Sequence, residues 1–336
     1  MNQKNNTLQT DTVISVRSAD RMPRSIVFDG GFKILGTPLA FKGCRHPGLL
    51  FISELNMKIP PGTRRVIGSE TAIGAMGHRK KRLDTIAVSW DRLFKLGKMD
   101  LRLLPSGMGP GASLLEIKYR DRIILYCSGL RTAQPLSGAP LPVTACDILL
   151  LDFNIATFKS PAPRTLKPQF LTWQKAHSNN FATAVLCDTA PSVFDVLHTV
   201  EDTAMPVLAH STIYNLLRET AIAENKKLTV RRLGKQWPTT GLVISGSRAF
   251  FKSAHAKNAG IPVCICGPKE SSPDNLNAFP FGVSEHLAGL VQFAKKCGAG
   301  TVAISPTGGE TAADAFIKAG FDVHYSRAPR QLKLPL

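Results

Sequence analysis

The chain has 336 residues, 43% of them hydrophobic and 20% charged, enough for one large α/β domain or two modest ones. Its 42 lysines and arginines against 24 acidic residues leave a net charge of +18, which favours a polyanionic partner, nucleic acid first, through counterion release. An acidic protein partner or a generally basic proteome are the competing explanations. No apolar run is long enough to span a bilayer, and the polar stretch 1–24 lacks the apolar segment of a secretory signal. A cytoplasmic protein with no membrane contact and a disordered lead over 1–24 is therefore expected.

The first ordered signal is Ser25–Ile34, which reads as strand, Asp-Gly-Gly turn and strand. Leu49–Ile52 and Arg65–Ile67 are short strands, separated by a turn through Pro60-Pro61. Leu83–Trp90, Met99–Leu104, Ser113–Lys118 and Ile123–Cys127 continue a β-rich half, as in one face of an αββα sandwich. From about Ser160 the pattern changes. Pro161-Ala162-Pro163 is a break, and Leu166–Asn179 has helical spacing. Strand Phe181–Cys187, helix Pro191–Glu201, strand Pro206–Ala209 and helix Ser211–Glu224 follow, and their alternation predicts a parallel sheet. The tail reads as helix Ser284–Cys297, strand Thr301–Ile304, helix Glu310–Ala319 and strand Asp322–Tyr325.

Seven cysteines are scattered without a CxxC pair, and Cys127, Cys146, Cys187 and Cys264 sit in apolar, strand-like runs. Reduced, buried thiols explain them best. Cys264 and Cys266 share one side of a strand. With no other ligand cluster nearby, they read as two small apolar side chains rather than a metal site.

Val66–Ala75 resembles the metal loop of the metallo-β-lactamase superfamily, where a strand leads into H-x-H-x-D-H. In that alignment the four ligand positions hold Ser69, Thr71, Ile73 and Gly74. Leu103–Ser113 is similar to the glycine-rich H-P-A-G-H-x-x-G-S-A segment, and Ile123–Leu130 to the strand ending S-G-D. A metal histidine there becomes Met108, and the bridging aspartate becomes Leu130. Cys146–Asp152 resembles the C-D-x-x-x-T-E strand of the β-CASP branch, with Asp152 in the acid position. Val243–Arg248 resembles the segment closing the β-CASP insert. Phe281–Leu290 resembles V-I-S-D-H-A-D-x-x-x-L and keeps His286, while Gly298–Pro306 resembles the strand before the last metal histidine, replaced by Pro306 or Thr307. The similarity runs from about Gly48 to about Tyr325 and is nearest to bacterial ligase-associated DNA exonucleases and RNA 3′-end processing proteins.

The resemblance implies an α/β fold, a metallo-β-lactamase αββα sandwich (25–159 and 267–336) interrupted by a β-CASP insert (160–266). It implies that Asp152 and His286 face each other across a cleft, the acid orienting the histidine that protonates the leaving oxygen. Zinc supplies the nucleophile in such chemistry, and hydroxyls, a methylene and a hydrogen are not zinc ligands. No zinc or other cofactor is therefore expected, and Asp152 and His286 read as a vestigial, structural pair. The remaining histidines (His46, His78, His177, His198, His210, His255 and His324) lack ligand spacing, although His46 and His78 flank the altered loop.

Three basic groups are candidate nucleic-acid contacts. They are Arg79-Lys80-Lys81-Arg82; Lys226-Lys227 with Arg231-Arg232 and Lys235-Trp237; and Arg248 with Lys252, His255 and Lys257. For the first of these a solvated turn is the alternative. The Gly-Lys-Ala-Gln turn usual early in the insert is replaced by Asp188-Thr189-Ala190-Pro191, without its lysine. The leading functional expectation is a catalytically inactive β-CASP homologue that binds nucleic acid or forms a complex with an active nuclease, helicase or ligase. An active hydrolase with a rebuilt metal site and a purely structural subunit are the alternatives.

Overall fold

The structure is a computed structural model describing residues 14–15, 26–28, 30–45, 48–157, 160–178, 182–247, 249–250, 261–267 and 277–325. The expected lead 1–24 falls outside these apart from two residues, as do Arg248, Lys252, His46 and His255. Strand β1 (Ile14–Ser15) precedes the hairpin of β2 (Ile26–Phe28) and β3 (Phe32–Ile34), which is antiparallel as the Asp-Gly-Gly turn predicts. Then come β4 (Leu39–Ala40), β5 (Leu49–Ile52), β6 (Arg65–Ser69), helix α1 (Glu70–Gly74), a 3₁₀ turn (Gly77–Arg82) and β7 (Asp84–Val88). β8 (Leu93–Leu96), β9 (Met99–Pro105), β10 (Ser113–Tyr119), β11 (Arg122–Cys127) and β12 (Ile148–Leu151) complete the first part.

The middle of the chain holds α2 (Pro163–His177), β13 (Thr183–Cys187), α3 (Ala190–Val200), β14 (Val207–Ala209), α4 (Ser211–Ala223), β15 (Arg231–Arg232), β16 (Leu242–Ser245), β17 (Val263–Cys266) and β18 (Asn277–Phe279). Its six strands form a sheet in the order β15-β14-β16-β13-β17-β18, with every pairing parallel. The sheet runs past Cys266, because β18 pairs with β17. Helix α5 (Leu287–Lys296), β19 (Thr301–Ile304), α6 (Glu310–Lys318) and β20 (Asp322–Tyr325) then return to the first part.

That return completes an eight-stranded mixed sheet, β1-β20-β19-β12-β11-β10-β9-β8, which faces the six-stranded sheet β2-β3-β4-β5-β6-β7. Period-two alternation sorts the side chains, because successive residues of a strand point to opposite faces. Met99, Leu101, Leu115, Ile117, Ile124, Tyr126, Ile148 and Leu150 enter the core between the sheets, with Phe41, Phe51 and Ile67 opposite. Their neighbours Leu114, Leu125, Cys127, Leu149 and Leu151 point the other way, beneath Leu290 and Phe293 of α5 and Phe316 of α6. Leu50, Ile52 and Val66, on the outer face of the second sheet, lie under Ala72 and Ile73 of α1 and Leu216 of α4. The middle segment thus contributes a helix to the outer cover of the sandwich as well as its own core around Phe170, Val193 and Ile244. All seven cysteines are buried within these layers.

Candidate functional site at the carboxyl ends of the strands

In layered α/β architectures, sites form where the carboxyl ends of strands converge. Here β5, β6, β9, β11, β12 and β19 all end along one rim. Ser113 N–H donates to Ser53 O (2.8 Å), and Ser69 Oγ donates to Gly111 O (2.7 Å), joining the two sheets there. The rim is built of buried serines, with Ser53, Ser69, Ser106, Ser113, Ser128 and Ser305 each no more than 6% exposed.

Six of the positions that the resemblance assigns to metal ligands have other structural tasks. Ser69 caps α1, its Oγ accepting from Ala72 N–H at 3.2 Å. A serine cap at this point turns the expected loop into a short helix. Thr71 lies against Gly111, where an added Cβ would come within 3.1 Å of the Thr71 Cβ. Ile73 is buried beside Leu216 of α4. Gly74 lets α4 approach, since a Cβ at this residue would stand 2.5 Å from that of Ala223. Met108 is buried, with its Sδ accepting from Ser284 Oγ at 3.8 Å. Leu130 is wholly enclosed in the outer core. These hydroxyls, apolar groups and one thioether do not fit zinc, which takes imidazole, thiolate or carboxylate donors. Among the described residues, no group of three or more His, Cys, Asp or Glu side chains is arranged to hold a metal ion.

Asp152 and His286 each have other partners than the one expected. Asp152, at the end of β12, accepts from the Tyr126 hydroxyl at 2.9 Å. Burial pushes its carboxyl above the ordinary 3.8, against hydrogen bonds from Tyr126 and Ser305 that favour the charged form. Burial likewise drives Tyr126 well above the usual phenol range, reinforced by the Asp152 charge. His286 precedes α5 and donates through Nδ1 to Glu285 Oε1 at 2.6 Å. Glu285 also accepts from the Thr132 N–H (3.0 Å) and the Thr132 hydroxyl. Burial raises its carboxyl, but the bonds from Thr132 and His286 outweigh that and hold it below the ordinary 4.5. The strand end fixes Asp152 toward the inter-sheet core, while the adjacent Glu285 captures the histidine ring.

Sequence reasoning misses the most deeply buried ion pair among the described residues. Arg131, directly after Leu130, forms a two-bonded ion pair with Asp195 of α3, Nη2 to Oδ2 at 3.0 Å and Nη1 to Oδ1 at 3.4 Å. The two side chains are 5% and 1% exposed. Asp195 also accepts from Gly282 N–H at 2.9 Å, so one carboxylate ties together the first part, the middle segment and the C-terminal return. A sequence signal exists. Ser192, Asp195 and Thr199 place polar groups on the same helical stripe as buried Val193, Val196 and Val200. A carboxylate on such a stripe requires a buried partner.

Two small spaces remain near the rim. One, of about 40 Å³, is lined by Arg131, Ser160, Pro161, Glu285 and His286, and the other, about 10 Å³, lies between Glu54, Met108, Pro110 and Phe194. Volumes of that size hold little more than ordered water.

The basic candidates lie elsewhere. Arg79, Lys80, Lys81 and Arg82 are exposed on the 3₁₀ turn after α1, with Arg79 Nη2 bonded to Asn56 Oδ1 at 3.3 Å. Arg231 and Arg232 are exposed on β15, the edge strand of the third sheet. Trp237, the aromatic of the second basic group, stacks on Phe250, with ring centroids 5.7 Å apart.

No family model matches the chain, nor does any curated protein. Among solved structures it is similar to the crystal structure of a protein of unknown function from Enterococcus faecalis V583. The identity is 11%, the TM-score 0.53, and the match covers 78% of this chain and 76% of that one. The likeness is one of fold alone. The mixed α/β architecture is plain, and among the described residues no helix is long and apolar enough to cross a membrane.

Proposed function

We propose that this chain is a metallo-β-lactamase-type sandwich with a β-CASP-like insert whose rim has lost hydrolytic chemistry, and that it serves as a nucleic-acid-binding or complex-forming subunit in DNA or RNA processing. The observation that carries this reading is the reuse of the six ligand positions for capping, close packing and core. Ser69 caps, Gly74 admits α4, and Met108 and Leu130 are buried. Restoring a ligand at any of these would disturb a contact that holds the sandwich together. The net charge of +18 supplies the attraction to a polyanion. An active nuclease, helicase or ligase is the class of protein partner consistent with the resemblance.

The test is made on the purified full-length chain. Elemental analysis and cleavage assays on labelled DNA and RNA are run with Zn²⁺, Mn²⁺ or Mg²⁺, beside binding assays at graded salt. The expected result is binding without hydrolysis and no stoichiometric transition metal. Stoichiometric metal together with cleavage abolished by His286→Ala would overturn the reading. No affinity for any nucleic acid at low salt would remove its binding half.

A further inference from the structure

Resting on that reading, we infer that the nucleic-acid surface is not the serine-lined rim but a basic belt around the C-terminal end of α4, and that it fits a double-stranded rather than a single-stranded backbone. Topology brings the belt together. Strands β14 and β15 pair in parallel, so the connecting helix α4 must run back against them. The end of α4, the turn carrying Lys226-Lys227 and the start of β15 at Arg231-Arg232 therefore share one end of the insert. The sandwich adds the third group at the same place. Gly74 abuts Ala223, and Gly77 lies where an added Cβ would be 3.0 Å from the Glu219 Cδ. The next turn is the 79–82 run.

Two independent segments thus deliver exposed cations to one helix end. Nearby acids do not neutralise them. Glu219 pairs with Arg218 (2.6 Å) and Glu224 with Lys226 (2.9 Å), leaving no acidic partner among the described residues for the 79–82 run, Lys227 or Arg231-Arg232. A helix C-terminus favours some positive charge by itself, but that effect fades within one turn and does not account for cations from a second segment.

The choice of duplex follows from what the belt lacks. Single-strand binders grip bases on exposed aromatic rings. The aromatic in the neighbouring sequence, Trp237, is stacked on Phe250, and Phe250 lies against His210 at 5.0 Å. The large hydrophobics exposed among the described residues are Leu35, Leu93, Val143, Ile222 and Ile317, none of them aromatic. Cations without a stacking platform read phosphate backbone, and the spread of charge over two segments suits the rigid spacing of a duplex.

The full chain would be titrated with labelled duplex DNA, duplex RNA and single strands of the same sequence, between about 50 and about 200 mM salt. Duplexes are expected to bind about tenfold tighter than single strands, without sequence preference. The Arg79→Gln, Lys80→Gln, Lys81→Gln, Arg82→Gln chain should lose affinity and flatten the log–log salt slope by about 0.9 per phosphate contact removed. Arg231→Gln with Arg232→Gln should act in the same direction more weakly, and Lys95→Gln with Lys98→Gln, outside the belt, should change nothing. The exposed sites make these variants safe for folding, and thermal melts confirm it. Tighter single-strand binding, or unchanged slopes in both belt variants, overturns this inference while leaving the proposed function intact. Absence of all binding by the unmodified chain overturns this inference together with the nucleic-acid-binding half of the proposed function.

Discussion

Two of the junctions between the insert and the sandwich have opposite chemistry. At α1 and α4 the contact is apolar and steric, Gly74 against Ala223 with Ile73 and Leu216 beside them. At Arg131 and Asp195 it is ionic and almost wholly dehydrated. An apolar junction can slide by a fraction of a side chain at modest cost. A buried ion pair tolerates no such slippage, because a charge left without its partner in the interior is strongly unfavourable. The steric junction therefore sets how close the insert approaches, and the ionic one sets where it sits.

The largest effect that would break this comparison is at the ionic junction. Arg131→Met leaves Asp195 with only the Gly282 N–H and should cost about 3–5 kcal/mol in denaturant unfolding. Adding Asp195→Leu to that variant should recover most of the loss, because no uncompensated charge remains. A double variant as unstable as the single one would show that the pair matters for its hydrogen bonds rather than its charge. The steric junction should respond less. Gly74→Ala forces a Cβ to 2.5 Å from that of Ala223, an overpacking that costs about 1–3 kcal/mol. Ala223→Gly in the same chain should restore all but about 1 kcal/mol, the helix penalty of a glycine at the end of α4.

These junctions also mark what the sequence makes legible and what it does not. The hairpin at Ile26–Ile34, strands β9, β10, β11, β19 and β20 of the eight-stranded sheet and the alternation of strands and helices after Ser160 follow from period-two and helical patterning, which are local properties. Short elements with little pattern of their own, β4, β8 and β18, escape such reading because tertiary pairing alone makes them strands. The expected Asp152–His286 partnership gives way to Tyr126 and Glu285, for a subtler reason. Tyr126 reaches Asp152 from the neighbouring strand β11, and Glu285 adjoins His286 in sequence. Arg131 and Asp195 are 64 residues apart, and only the closed insert brings them together. Nothing in either segment names the other.

The smallest effects come from the two buried carboxylates, and they should have opposite signs. Burial raises Asp152 above its ordinary 3.8, so the native state holds this proton more tightly than the unfolded chain. Its contribution to stability is then largest at acid pH and declines as pH rises from that ordinary value through the raised one. Glu285 is held below its ordinary 4.5, so its contribution is present above 4.5 and is lost as pH falls through the lowered value. Asp152→Asn, which keeps an acceptor for the Tyr126 hydroxyl, should remove the decline on the way up from acid pH and leave neutral stability equal or higher. Glu285→Gln should lower neutral stability by about 1 kcal/mol, since uncharged hydrogen bonds replace charge-assisted ones, and should flatten the acid limb. Denaturant midpoints between pH 3 and pH 8 would separate the two. Parallel changes in both variants would mean that the two ends of the rim titrate as one unit, and the distinction between an inward-facing Asp152 and a junction-facing Glu285 would fall.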